Sequence, residues 1–302
     1  MQTAILGPSS IPVSALGLAT GVLRSDHDVW EPGDENELIA AVHLALECGI
    51  TLIDTAPTHG GGLAEELVGK AIIGRREAVV LATKCGLKPH GDGRKGYARC
   101  LAPESIHREC EASLRRLRVE TVDLYQCHWP DPDTPIAETL GSLDRLVEQG
   151  KIRACGLVNF GLSRLAQARE HGTICTLQVP FSLLNRDYND DLIPYCHKIG
   201  VAVLASDPLA GGRLDDEDAS ATASVSPERD PTRRTRLSAL AAERNCSLSQ
   251  LAITWAAGHS GITATLVSAC RPSKVRDAVD AVRRDLTEAE RTRIDEILDV
   301  AP

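Results

Sequence analysis

The chain is poor in aromatic side chains. Phe, Trp and Tyr make up 3% of its 302 residues, which leaves little flat apolar surface for a pocket and favours polar substrates over large planar ones. Its ten cysteines contain no C-x-x-C pair. In a chain too long to need stapling, that pattern reads as reduced thiols in a cytoplasmic protein with no metal site. No stretch approaches the roughly 18 unbroken apolar residues of a membrane span, and the opening MQTAILGPSSIPVS lacks the basic region and apolar run of a secretory leader. Positive charge is also in deficit, with 33 Lys and Arg against 42 Asp and Glu for a net charge of -9. That balance argues against nucleic acid or an anionic membrane as partner and for a small molecule, although a local basic pocket can still hold a phosphate. No Pro- or Ser-rich boundary splits the chain, no G-x-G-x-x-G follows its first strand, and no G-x-S-x-G nucleophile turn is present. What is present, 43% hydrophobic and 25% charged residues, is the composition of a soluble globular protein.

Short apolar runs recur at 52–53, 79–82, 122–127, 152–158, 174–179, 201–205 and 264–267, as buried parallel strands require. Helical patterns separate them. Asp34 with Glu37 forms a capping pair ahead of Leu38, Ala41, Val42 and Ala45 on one face. Pro103 and Pro135 stand where a first helical turn tolerates proline, and Ile106, Cys110, Leu114 and Leu117 make one apolar stripe. Ser247 with Gln250, and Thr287 with Glu290, repeat the capping-box spacing towards the C-terminus. This alternation predicts an α/β protein whose parallel strands are joined by helical crossovers. The length suits a single (β/α)8 TIM barrel, residues 1–302, with an N-terminal strand segment and additional C-terminal helices. The one long irregular stretch, 211–231, is expected to act as a mobile lid over a ligand.

A barrel carries its chemistry at the C-terminal ends of its strands. The ionisable residues there are Asp54 and, one tight turn later, His59, then Lys84 and His128. Four such groups on one rim shift one another's pKa and can move protons. Taken singly, duller roles suit each of them: a surface turn for His59, a structural ion pair for Asp54 and Lys84, a bond to a backbone carbonyl for His128. An oxyanion loop at HGGG lacks its nucleophile turn, and a metal there would meet the charge of Lys84.

Over nearly its whole length the sequence resembles the aldo-keto reductase superfamily. The matching segments are ALGLAT, GITLIDTAP, EELVGKAI, LATK, SLRRLRVETVDLYQCHWPD, TLGSLDRLVEQGKIRACGLVNF, LQVPFSLLNR and DPLAGGRL. The resemblance implies a (β/α)8 barrel that binds a nicotinamide dinucleotide, usually NADP(H), in extended form across the strand ends. It also implies an Asp, Tyr, Lys and His group in which the Tyr gives a proton to a carbonyl oxygen as hydride arrives from the cofactor. Asp54, Lys84 and His128 fall on their family positions, and the Tyr position is His59. Histidine donates a proton only as the imidazolium, which Lys84 disfavours and Asp54 favours, so reduction is expected to weaken as pH rises through about 6.5.

Further positions follow from the same resemblance. Asn159 and Gln178 would hold the nicotinamide carboxamide, with Val158 in place of a Ser and Ser206 in place of a stacking aromatic. Leu209, Gly211 and Arg213 of DPLAGGRL would lie along the cofactor. Arg271, Lys274 and Asp277 would meet its 2′-phosphate and adenine, Arg276 adding charge and Ala278 replacing an Asn. Trp30 and Trp129 each follow a strand end and are expected pocket walls. The DDED run at 215–218 is expected to repel a pyrophosphate. The reading is an NADP(H)-dependent oxidoreductase acting on a small carbonyl or sugar-like substrate with His59 as proton donor or acceptor. Its alternatives are a redox-neutral lyase, dehydratase or isomerase on the same barrel, and a non-catalytic binding or regulatory subunit.

Overall fold

The computed structural model describes residues 1–21, 23–24, 27–28, 35–90, 96–216 and 231–299. Eight parallel strands close into a barrel: β1 (Leu16–Ala19), β2 (Leu52–Asp54), β3 (Val80–Cys85), β4 (Val122–Cys127), β5 (Ile152–Val158), β6 (Thr176–Pro180), β7 (Ala202–Ser206) and β8 (Ala264–Ser268). Each pairs with its neighbour in sequence, and β8 returns to β1 with Thr265 opposite Leu16 and Val267 opposite Leu18. The helices are α1 (Glu35–Glu47), α2 (Leu63–Ala71), α3 (Pro103–Leu117), α4 (Ile136–Glu148), α5 (Leu162–Arg169), α6 (Leu192–Ile199), α7 (Pro231–Glu243), α8 (Leu248–Ala257), α9 (Pro272–Ala281) and α10 (Glu288–Asp299).

Two apolar layers hold this together, and the two-residue period of each strand sorts side chains between them. Leu81, Tyr125, Leu177 and Val203 face outwards into the layer shared with the helices. Leu52, Val80, Ala82, Leu124, Leu204 and Leu266 fill the barrel interior, where Leu6, Ile11 and Val13 join them. Those three come from the N-terminal hairpin (Thr3–Ile5 with Pro12–Ser14), which is tied to the start of β2 through Ser14 N–H and Thr51 Oγ1 at 3.0 Å and closes the lower end. At Gly17 a Cβ would lie 2.5 Å from Leu266 Cδ2, so a larger residue would have to push that side chain aside.

The two C-terminal capping signals hold in detail. Ser247 and Gln250 form a reciprocal capping box on α8, and Thr287 and Glu290 exchange bonds of 2.8 and 3.3 Å ahead of α10. Pro135 is the N-cap of α4 rather than part of its first turn. Asp34 lies outside the described residues, as does 217–230 of the expected lid.

The strand limits need correction where they matter most. β2 runs on to Asp54, and β3 to Cys85, so Lys84 lies on its strand and not beyond it. The runs expected at 174–179 and 201–205 are Thr176–Pro180 and Ala202–Ser206. Hydropathy breaks at the first polar residue, whereas the ladder continues to the barrel mouth, where polar side chains can point inwards and find partners. No helix among the described residues is long and apolar enough to cross a membrane, and all ten cysteines are free thiols.

Candidate active site

Above the apolar interior, the same two-residue period puts Asp54, Lys84, Gln126 and Gln178 on the inward face of β2, β3, β4 and β6, and all four are buried. Lys84 Nζ donates to Asp54 Oδ2 at 2.7 Å and to the Thr55 carbonyl at 3.0 Å. Gln126 Nε2 donates to Asp54 Oδ1 at 3.2 Å. Burial lifts the Asp54 carboxyl above its ordinary value, and the Lys84 charge and these hydrogen bonds pull it back. Breaking one partner of such a pair would strand a buried charge, so the two residues stand or fall together.

His59 opens a short 3-10 turn, His59–Gly62, in which Gly60, Gly61 and Gly62 all have positive φ. This lets the chain reverse into α2 within four residues. The ring is 7% exposed. Its Nδ1 lies 3.1 Å from Thr20 Oγ1, which donates to Thr55 Oγ1 at 2.8 Å. No hydrogen bond among the described residues engages Nε2. The ring rests on Gly21, where a Cβ would lie 2.2 Å from Nε2. Burial first, then the Lys84 charge, pushes the imidazole from its ordinary 6.5 to about 3. This overturns the expectation that Lys84 and Asp54 pull it in opposite directions. Asp54 is spent on Lys84, and both influences on His59 favour the neutral ring.

His128 follows β4, its backbone N–H donating to the Cys85 carbonyl at 2.9 Å. Burial, Lys84 and His59 together hold its imidazole well below the ordinary value. Its Nδ1, Gln178 Oε1 and Gln126 Oε1 are buried without a hydrogen-bond partner among the described residues, unusual for interior polar atoms unless a ligand completes them.

The mouth is walled on one side by a second hairpin (Leu87–Pro89 with Tyr97–Arg99). Tyr97 Oη donates to the Thr58 carbonyl at 3.2 Å, and Arg99 stacks on Trp129 with its guanidinium carbon 5.0 Å from the ring centre. Trp129 therefore stands at the rim, 37% exposed; Trp30 lies outside the described residues. Beneath the His59 turn, buried Glu65 accepts from Thr83 Oγ1 at 2.7 Å and Arg116 Nε at 2.6 Å, joining α2, β3 and α3.

The expected cofactor positions divide into two groups. Asn159 adopts the left-handed region with φ 61° beside Gln178, whose carbonyl accepts its N–H at 3.0 Å. Ser206 ends β7, and Asp207, Ala210, Gly211 and Gly212 all have positive φ in the tight turn that follows. Gly211 N–H donates to Asp207 Oδ1 at 2.7 Å, and burial raises that carboxyl to about 6. Leu209 packs on the core, and Arg213 Nε bonds the Ala210 carbonyl at 2.9 Å. At the far end, Lys274 is paired with Asp215 and the exposed N-cap Arg271 leans on Glu37 at 3.6 Å. Arg276 and Asp277 lie exposed on α9. The first member of the DDED run thus neutralises a cation instead of simply repelling an anion.

Sequence reasoning missed Gln126, Thr20 and Thr55. Gln126 had a signal: it shares the inward face of Leu124, two residues back on the strand. The two threonines had none, since a hydroxyl's partner depends on neighbouring strands. No group of three or more His, Cys, Asp or Glu among the described residues could hold a metal ion.

Comparison with known proteins agrees with this geometry. Residues 18–299 match the model of the aldo/keto reductase family. The chain is 32% identical to the NADH-specific methylglyoxal reductase of Escherichia coli (strain K12), over 98% of each chain. It superposes on the glycerol dehydrogenase AKR11B4 of Gluconobacter oxydans with a TM-score of 0.85 and 33% identity, covering 98% of this chain and 94% of that one. An aldo/keto reductase of Klebsiella pneumoniae, solved with NADP and acetate, superposes with a TM-score of 0.77 and 29% identity over 99% and 96% of the two chains. An eight-stranded barrel with a buried Asp–Lys pair at its mouth, matched from Leu18 to the last described helix, belongs to the aldo/keto reductase family of oxidoreductases.

Proposed function

We propose that this chain is an NADP(H)-dependent oxidoreductase that interconverts a small polar carbonyl compound and its alcohol, with His59 standing at the family's tyrosine position. The observation that carries the reading is the 2.7 Å Lys84–Asp54 pair buried at the barrel mouth with two neutral imidazoles nearby. The residues present suit a nicotinamide at the ring end, where Gln178 Oε1 is buried and unengaged next to Asn159. Ser206 leaves that ring without an aromatic face. Arg213, Arg271 and Lys274 would lie along the phosphates. Bound there, the nicotinamide supplies or accepts hydride.

The chain's own part is electrostatic and directional. Lys84, held by Asp54, stabilises negative charge on the substrate oxygen in a site shielded from water. His128 and His59 are hydrogen-bonding groups of neutral imidazole form and orient that oxygen. With its pKa near 3, His59 is not an imidazolium reservoir at neutral pH. It acts as an acceptor for an alcohol proton at Nε2, or in the other tautomer as a hydrogen-bond donor to a carbonyl. The E. coli relative's small oxoaldehyde and the Gluconobacter neighbour's glycerol are of the polar, compact kind that an aromatic-poor mouth suits.

Titration calorimetry with NADPH and NADH, each carried to millimolar concentration, should show saturable binding, followed by turnover of methylglyoxal or glycerol. No binding of either dinucleotide would discard this reading. It would then favour a redox-neutral barrel that converts substrate with no cofactor, the reading for which Ser206 at the aromatic position speaks.

A further inference from the structure

Gln126 is a polar residue on an inward face that is otherwise apolar: Leu124, two residues back on β4, fills the barrel, and the Gln126 side chain is fully buried. Room for it comes from the next strand. Its ladder partner on β5 is Gly156, where a Cβ would lie 3.2 Å from Gln126 Cγ and 2.1 Å from Thr176 Oγ1. Its ladder partner on β3 is Lys84, so the amide stands level with the buried ion pair and reaches past the lysine to Asp54.

Asp54 leaves that amide one orientation. A carboxylate only accepts, so the NH2 end must face it, with Nε2 3.2 Å from Oδ1 while Lys84 Nζ holds Oδ2 at 2.7 Å. Oε1 is then the end buried without a hydrogen-bond partner among the described residues. An amide bonded at one end adds little to stability, because desolvation of the other end offsets the bond. Its effect is local instead. Each Asp54 oxygen has a donor from a different strand, which fixes the rotation of the carboxylate and with it the place of Lys84 Nζ. Burial raises the Asp54 carboxyl, and Lys84, Gln126 and Gln178 pull it down from three other strands. The remaining ionisable groups at this mouth, His59 and His128, are neutral imidazoles.

We infer that Gln126 is a positioning residue for the reaction: its amide fixes the Asp54 carboxylate and, through it, the Lys84 ammonium that stabilises the substrate oxygen. The effect on turnover rests on the oxidoreductase reading above, and the effect on Asp54 does not.

The test compares wild type with Gln126→Leu and Gln126→Glu. Leucine suits the interior and cannot donate. In that variant kcat should fall about tenfold and its acid limb move up by about one pH unit, with dinucleotide Kd changed by less than about twofold and the urea midpoint no lower. Gln126→Glu keeps the shape of the side chain. When protonated, the introduced carboxyl donates to Asp54 as the amide does; when ionised, it repels Asp54 and competes for Lys84. This variant should therefore approach wild-type turnover in acid and lose it as pH rises. The Asp54 carboxyl carbon, followed by NMR through pH, should titrate higher in Gln126→Leu than in wild type, a readout that needs no turnover. An unmoved Asp54 titration in the folded variant, or a kcat within about twofold of wild type, overturns the inference. Should Gln126→Leu unfold, Gln126→Glu decides, and turnover that does not fall with rising pH overturns it. Wild type that binds neither dinucleotide overturns the oxidoreductase reading, and the Asp54 titration then decides the inference by itself.

Discussion

Replacing His59 by Gln should remove a pH-dependent component of stability whose size follows from its burial. The folded imidazole titrates near 3 and an unfolded one near 6.5. The folded value is the lower, so as pH falls the unfolded chain takes up the proton first. Stability is therefore complete above about pH 6.5 and declines between there and about pH 3, by about 1.4 kcal/mol per pH unit. From pH 7 to pH 5 the loss from this one group is about 2 kcal/mol. Glutamine keeps a polar group against Thr20 but has no proton to gain. Urea unfolding followed by circular dichroism at pH 7, 6 and 5 should show wild type losing about 2 kcal/mol more than His59→Gln over that range. Parallel pH dependences of the two proteins, or a His59 ring proton that titrates near 6.5 by NMR, would refute the assignment of a neutral, buried ring. The same reasoning replaces the expected fall of reduction through pH 6.5: from pH 6 to 9 the rate should carry no step belonging to His59.

Two further outcomes follow from the geometry. Gly21→Ala would put a Cβ 2.2 Å from His59 Nε2; displacing the ring should cost about 1–3 kcal/mol of stability and most of the turnover, and a variant with unchanged kcat would show that His59 is not at the reacting centre. Lys84→Met should cost about 3–5 kcal/mol by stranding Asp54. Adding Asp54→Asn should restore much of that stability without restoring turnover, and recovery of both in the double variant would make the pair merely structural.

The barrel was legible because its signals are local and repeated. Apolar runs, helix stripes and the Ser247–Gln250 box each read correctly within a window of a few residues. Asp54, Lys84 and His128 were legible as positions, since strand ends face one rim. The limits of β3 were not, because Lys84 looks like a chain exit until its partner on β2 is known. Gln126 was overlooked because a polar residue inside a buried strand carries no mark of what it bonds to. Trp30 and most of the 211–231 stretch lie outside the described residues, and their expected roles rest on the sequence alone.

By itself the order of residues determined the architecture, because a two-residue period alternating with a helical one leaves few ways to bury both apolar faces. It also placed a histidine five residues after Asp54. Only the tertiary structure decided what that histidine is: a neutral ring, since burial and the Lys84 charge act through space. It likewise decided that Lys274 meets Asp215, 59 residues away in the chain. Charge state and pairing depend on which distant segments share a site, and that is not written in any local stretch.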